Sequence, residues 1–263
     1  MNTPFTIVMI GAGRVATHLA PALSACGYRI LQVYSRTLEA ARTLAEKTGS
    51  QATNRLEELS PEADLYLVSV SDTALTTLLP AVTSINPQAL FVHTAGSVPM
   101  SIWEGLADRY GVLYPMQTFS KEREVDFHQV SFFIEARKAS DTRLLKELAS
   151  ALSPKVYEAT SEQRKYLHIG AVFACNFTNH MYAVCEELLG RHNLPFTAML
   201  PLIDETARKV HELSPRLAQT GPASRQDQNI LESHRQLLET EAPDLTEIYR
   251  LLSEHIQSYL PEK

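Results

Sequence analysis

The chain has 263 residues, 44% of them hydrophobic, and a net charge of -6, which is enough apolar content for one or two buried cores. No apolar run approaches the ~20 residues that span a bilayer, and an acidic balance with scattered Lys and Arg disfavours nucleic acid as a partner. A start that runs almost directly into a strand, without a charged leader or cleavage site, adds the expectation of a cytoplasmic protein.

The first predicted element is a strand over residues 5–10, followed by Gly11-Ala12-Gly13-Arg14-Val15-Ala16 and a helical segment that ends near Gly27. A strand that turns through glycines into a helix aims bare N–H groups and the positive helix end at one spot, as a dinucleotide pyrophosphate requires. Gly11 permits the tight turn, Gly13 opens the backbone to phosphate oxygens beside Arg14 and Val15, and the small Ala16 packs the helix onto the strand. A Gly-x-Gly after a strand is also an ordinary tight turn. The second apolar run, 28–34, favours the cofactor reading because it completes a βαβ unit.

At the end of that run stand Tyr34-Ser35-Arg36-Thr37, where an acidic residue would bind the ribose hydroxyls of NAD. Ser35, Arg36 and Thr37 offer two hydroxyls and a guanidinium to a 2′-phosphate, so NADP is the expected cofactor, with NAD second. The alternative leaves Arg36 solvated and assigns the ribose to Glu39.

A helix at 38–47 follows, then strands at 65–70 after the turn at Pro61, 89–93, 111–113, 130–134 and 155–157, with a helix at 141–152. This alternation predicts an α/β fold, a Rossmann-type mostly parallel sheet covered on both faces, with functional residues at the carboxyl ends of its strands. Ser69, Val70 and Ser71 end one strand where a cofactor ribose would lie, and Asp72 reads as the N-cap of the next helix. His93-Thr94-Ala95-Gly96-Ser97 ends another: Gly96 is expected at the cofactor, Thr94 in catalysis, His93 and Ser97 at the substrate. In Tyr114-Pro115-Met116-Gln117-Thr118-Phe119, Gln117 is a substrate candidate. Either loop also reads as a simple turn.

After Ala159 the strand signal stops. Thr160-Ser161-Glu162-Gln163 has capping-box spacing, and helical periods fill the rest apart from a turn-rich break at 221–224. The expected domains are an NADP-binding domain over 1–159 and an all-α substrate and dimerisation domain over 160–263. At 100° per residue His168, Val172, Asn176 and Asn179 share one arc, with His180 near its edge. Buried amides and imidazoles cost about 1–3 kcal/mol each without partners. The stripe therefore reads either as a wall facing a substrate carbonyl or carboxylate, or as a satisfied polar seam. In the first reading His168 gives or takes a proton, Asn176 orients the substrate and Asn179 contacts it.

Within Thr220-Gly221-Pro222-Ala223-Ser224-Arg225-Gln226-Asp227, Arg225 and Asp227 form either a clamp for an acidic substrate group or a surface pair at a helix start. Cys26, Cys175 and Cys185 are odd in number and lie in apolar helical contexts, so buried reduced thiols are expected, with neither disulfide nor metal. Amphipathic helices over 161–193 and 244–260 are long for their domain and predict a homodimer through the helical half.

Over essentially its whole length the chain resembles a bacterial family in which a Rossmann-like domain is joined to a helical domain of unknown function. The matching stretches are Gly11 to Ala16, His93 to Ser97, Tyr114 to Ser120, the helix from His168 to Asn179, and Thr220-Gly221-Pro222 with Arg225 and Asp227. More distantly it is similar to pyrroline-5-carboxylate reductase, β-hydroxyacid dehydrogenases, deazaflavin-dependent NADP reductases and prephenate dehydrogenase. In the hydroxyacid enzymes a helix carries a catalytic lysine and, a few residues on, an asparagine. Asn176 matches that asparagine, but Phe173 or an apolar neighbour stands in place of the lysine. His168 and His180 have the spacing of the outer histidines in the prephenate dehydrogenase helix, whose inner serine and histidine are Asn176 and Phe177 here. The resemblance implies NADP-dependent hydride transfer with a small C=O or C=N substrate, achieved without that lysine. A catalytically silent NADP-binding sensor or interaction protein is the alternative. A methyltransferase is disfavoured, because Ser35-Arg36 replaces the acidic residue that binds the ribose of its cofactor.

Overall fold

The computed structural model describes residues 4–259. Eight strands form one sheet: β1 (Thr6–Ile10), β2 (Arg29–Tyr34), β3 (Gln51–Thr53), β4 (Leu65–Val68), β5 (Leu90–His93), β6 (Tyr110–Met116), β7 (Ser131–Ala136) and β8 (Val156–Glu158). Their order is β3-β2-β1-β4-β5-β6-β7-β8, and every pairing is parallel except β6 with β7. The chain therefore reverses its direction of travel across the sheet between β1 and β4, the switch point at which doubly wound sheets bind ligands.

Both faces of the central strands are buried, which is why they read as continuous apolar runs. On one face Ile7 and Met9 of β1 pack with Ala16, Leu19 and Leu23 of α1 (Arg14–Ala25), Leu44 of α2 (Leu38–Thr48), and Leu145 and Leu148 of α4 (Ala139–Ser150). On the other face Val8 and Ile10 join Leu75, Leu79 and Val82 of α3 (Asp72–Thr83) and Trp103, which closes a 3-10 turn, Met100–Trp103. Ala16 is completely buried, as its place at the end of the glycine turn requires.

Three local readings differ from the structure. β3, short and polar at its first residue, escaped the apolar pattern. β6 extends well beyond 111–113, because its antiparallel pairing with β7 continues to Met116. The N-cap of α3 is Ser71, whose hydroxyl accepts from the Ala74 N–H at 3.4 Å, so Asp72 is the first helical residue.

The chain forms two compact units, Met1–His180 and Met181–Lys263. The first includes α5 (Ser161–Ala171), which begins with the complete Thr160/Gln163 capping box and continues through a π-helical segment, Val172–Phe177, into α6 (Thr178–Arg191). The second contains α7 (Leu200–Glu212), α8 (Pro215–Ala218), α9 (Gln228–Glu241) and α10 (Pro243–Ser258). None of these four helices buries a side chain, and Leu202, Leu217 and Leu237 are 63%, 69% and 59% exposed. Leu260, the expected end of the last helix, lies outside the described residues. Among the described residues no helix is long and apolar enough to cross a membrane.

Candidate active site

The turn from β1 into α1 lies at the switch point, against the end of β4. Gly11 has φ +112°, its N–H donates to Tyr34 O at 2.8 Å, and a Cβ placed there would stand 2.1 Å from Ser69 O. Only glycine meets both the torsion and the contact. Gly13 is exposed and N-caps α1 without a side-chain hydrogen bond, and the first turn of α1 contains no acidic residue. The N–H groups that open this helix therefore face outward at its positive end, while the neighbouring α3 is closed by its own Ser71.

Ser35 is half-buried and Arg36 and Thr37 are exposed at the end of β2. A cavity of about 410 Å³ lies beside them, lined by Thr17 of α1, by Thr37, Glu39 and Lys47, and by Lys121. Thr37 and Glu39 both line this cavity, whereas Ser35 and Arg36 do not. On the next loops Ser69 is buried, Thr94 donates its hydroxyl to Ser69 Oγ at 3.2 Å, and Ser97 donates to the Asp72 carboxylate. These bonds lace the ends of β4 and β5 together.

The second cavity, about 970 Å³, is walled by Arg14, by Tyr114 and Gln117 from the end of β6, and by His168 and Asn176 from the helix after Thr160. The helix is held to the sheet by Arg164, which is almost fully buried and donates to Glu135 Oε2 at 2.8 Å and to Val98 O. Ser161 also donates to Glu135 Oε2, at 2.6 Å, and accepts from the Met100 N–H at 2.8 Å. His168 is thereby set with Nδ1 at 3.4 Å from the Tyr114 hydroxyl. Gly96 is buried under this pair: a Cβ on it would come within 2.7 Å of the Tyr114 ring and 2.9 Å of His168 Nδ1.

The structure thus brings Arg14, Gln117, His168 and Asn176 together in this cavity and leaves His93 and Thr94 out of its lining. His93 is fully buried, its Nδ1 accepts from the Ala95 N–H at 3.2 Å and its ring stacks on Trp103. Burial, reinforced by the charge of Arg164, lowers His93 to about 3 and keeps it neutral. It orders the loop of Gly96 and has no surface with which to touch a substrate. Thr94 is likewise buried, with its hydroxyl on Ser69.

Neither Val172 nor the exposed Asn179 is among the cavity's lining residues; for Asn179 the π-helical turn Val172–Phe177 changes the phase of the wheel. Thr178 Oγ1 closes that turn on Phe173 O, five residues back, at 3.1 Å. Arg225 and Asp227 lie in the second unit, where Asp227 caps α9 by accepting from the Ile230 N–H at 3.4 Å. The thiols are free, but burial is not found: Cys26, which follows α1, and Cys175, which lines the cavity, are exposed, and Cys185 is half-buried.

Sequence reasoning missed Tyr114, Gln163 and Cys175 as cavity residues. Tyr114 is half-buried, and burial pushes its phenol above the ordinary tyrosine value, opposed by Arg164 and assisted by Cys175. The sequence of β6, YGVLYPM, carries no signal that sets Tyr114 apart from its apolar neighbours.

Residues 6–96 match the family described as NADP oxidoreductase coenzyme F420-dependent, and residues 130–256 match Domain of unknown function (DUF2520). A candidate NADP oxidoreductase from Bacteroides fragilis, of known structure, is 56% identical over 97% of this chain and 98% of that one, with a TM-score of 0.91. A protein from Thermotoga maritima is 22% identical over 96% and 97% of the two chains (TM-score 0.74). A pyrroline-5-carboxylate reductase from Coxiella burnetii is 18% identical over 99% and 100% (TM-score 0.61). The last two likenesses concern the fold alone. No curated protein matches the sequence.

Proposed function

We infer the function from the family to which the chain belongs, one that joins a module described as NADP oxidoreductase coenzyme F420-dependent to a DUF2520 module. From that premise we propose that it is an NADP-dependent oxidoreductase moving a hydride between nicotinamide C4 and a small, carboxylate-bearing C=O or C=N substrate. Residues 1–159 serve the cofactor, and 160–263 serve the substrate and the dimer. One observation carries the reading: Arg14 opens the uncapped helix α1 and also lines the cavity that holds His168 and Asn176. A diphosphate at the glycine turn and a substrate beside His168 would therefore be neighbours.

The residues present fit the cofactor. The Gly11 and Gly13 turn leaves bare backbone toward a diphosphate, with the N–H groups of Arg14 and Val15 behind it. Ser35, Arg36 and Thr37 would hold a 2′-phosphate, and Ser69, Val70, Ser71 and Gly96 border the path toward the nicotinamide. The bound cofactor supplies the hydride; the chain's own groups orient the partner and handle one proton. His168 holds or gives the proton that reaches the substrate heteroatom, directly or across the Tyr114 hydroxyl 3.4 Å from its Nδ1. Asn176 and Gln117 donate hydrogen bonds that fix the carbonyl or imine, and the Arg14 guanidinium is the cation available to a carboxylate. Thr94 and His93 act from behind, by fixing the loop of Gly96.

A second copy of this chain is the partner proposed for the helical half. Tyr166, Ile169, Phe173 and Phe177 of the first unit are largely exposed, and the apolar faces of the second unit lack cover within it. Faces of this kind mark interaction surfaces.

The test is a titration of the full chain with NADPH and with NADH, read by nicotinamide fluorescence. Tighter binding of NADPH is expected, and no change with either nucleotide removes the proposal. A silent NADP sensor is favoured by a separate feature, an apolar residue, Phe173 or a neighbour, at the place where the β-hydroxyacid dehydrogenases that the sequence resembles carry lysine. It would gain if His168→Ala and Asn176→Ala left NADPH oxidation in cell extract unaltered.

A further inference from the structure

Tyr114 stands between three fixed surfaces. The bare Cα of Gly96 lies against its ring, Phe133 of β7 packs at 6.4 Å between centroids, and His168 meets it edge-on at 6.3 Å. Its hydroxyl is 3.4 Å from His168 Nδ1, and both side chains line the 970 Å³ cavity. The two differ in mounting. Tyr114 sits on a strand inside the sheet, whereas His168 sits on the helix that walls the cavity, and both side chains are half-buried. A rigidly mounted, partly desolvated hydroxyl held against an imidazole is an arrangement that general acid catalysis can use.

We infer that Tyr114 is the catalytic acid, delivering its phenolic proton to the substrate heteroatom, and that His168 acts behind it as the positioning and relay group. This rests on the oxidoreductase reading above. In the reductive direction bound NADPH would supply the hydride for the new C–H bond at the C=N or C=O carbon. The π electron pair moves to nitrogen or oxygen and takes the Tyr114 proton. The tyrosinate recovers a proton from His168, which is recharged from water. Arg164 and Cys175 also act on the phenol, while Phe133 and Gly96 bring no charge.

The experiment uses the full chain and the Tyr114→Phe, His168→Leu and Gly96→Ala variants in three measurements. NADPH fluorescence titration comes first: wild type and Tyr114→Phe should bind within about threefold of each other, and a wild type that does not bind refutes the oxidoreductase reading rather than the role of Tyr114. Absorbance of tyrosinate against pH comes second. The difference between wild type and Tyr114→Phe isolates one phenol, whose midpoint should move by about half a pH unit or more in His168→Leu and in Gly96→Ala. An unmoved midpoint in both variants overturns the pair. NADPH oxidation with 2-methyl-1-pyrroline and with pyruvate comes third. Tyr114→Phe should lose about a hundredfold in rate, and His168→Leu should lose less while shifting the pH profile. A Tyr114→Phe rate within about threefold of wild type overturns the assignment. Should wild type turn over neither probe, the absorbance measurement decides.

Discussion

Gly11 and Gly13 are two residues apart, and the structure predicts opposite consequences for the same added methyl group. At Gly11 a Cβ would lie 2.1 Å from Ser69 O and 2.8 Å from Ser69 C, on a backbone with φ +112°. The torsion alone costs about 1–3 kcal/mol, and the clash is with the backbone at the end of β4, which cannot turn aside as a side chain would. At Gly13 φ is -79°, and the nearest atom to a Cβ is Ser69 O at 3.9 Å, an ordinary contact. Gly13→Ala therefore gives up only the glycine preference at an N-cap, about 0.5–1 kcal/mol, or roughly 1–4 °C in Tm. The same methyl would stand where a diphosphate must approach the exposed start of α1. We expect Gly13→Ala to weaken NADPH at least tenfold, equivalent to about 1.4 kcal/mol, with the fold intact, and Gly11→Ala to lower thermal stability severely. Thermal melts and nicotinamide fluorescence on the two variants separate these effects. A Gly13→Ala protein that melts and binds NADPH like wild type would refute the pyrophosphate cradle.

Three other outcomes follow from individual contacts. Arg36→Ala should weaken NADPH about 10- to 100-fold, the usual scale of a charge-assisted hydrogen bond, and leave NADH within about twofold; equal losses for both nucleotides would move the phosphate site elsewhere. His93 has a folded-state value of about 3 against an ordinary 6.5, so on acidification the unfolded chain takes the proton first. Its contribution is fully present above pH 6.5 and is lost as pH falls toward 3, reaching about 2–3 kcal/mol by pH 4.5. Denaturant melts at pH 7.5 and 4.5 should show a smaller acid loss in His93→Asn, whose amide can still accept from the Ala95 N–H; equal losses would place the sensitivity in another group. Arg164→Met leaves the Glu135 carboxylate without its buried partner and should cost about 3–5 kcal/mol, seen as a fall in Tm of roughly 6–20 °C. A Tm within 2 °C of wild type would show that α5 is held by other contacts.

The parts of this protein that were legible in its sequence are those decided within a few residues. The β1 turn into α1 was readable because glycine, small side chains and an apolar run each have a local reason to be there. The capping box at Thr160 and Gln163 was readable for the same reason, as its two hydrogen bonds span only three residues. The parallel sheet followed from apolar runs buried on both faces. Asp72 was misplaced by one position because serine and aspartate cap equally well and only the coordinates distinguish them.

The candidate site needed contacts between residues far apart in the chain. Whether His93 met a ligand or a wall depended on Trp103, whose ring arrives through an unpredicted 3-10 turn and covers it. Tyr114 reads as one more apolar residue of a strand until Gly96 and His168, 18 and 54 positions away, are seen against it. The helical wheel that grouped His168 with Asn179 assumed a uniform 3.6-residue turn, and the π-helical segment removed that premise. Amino-acid pattern by itself determined the glycine turn from β1 into α1, because its torsions and its free N–H groups belong to neighbouring backbone. Tertiary packing alone decided which polar side chains share the cavity, since proximity across a sheet depends on pairing and burial that no single stretch encodes.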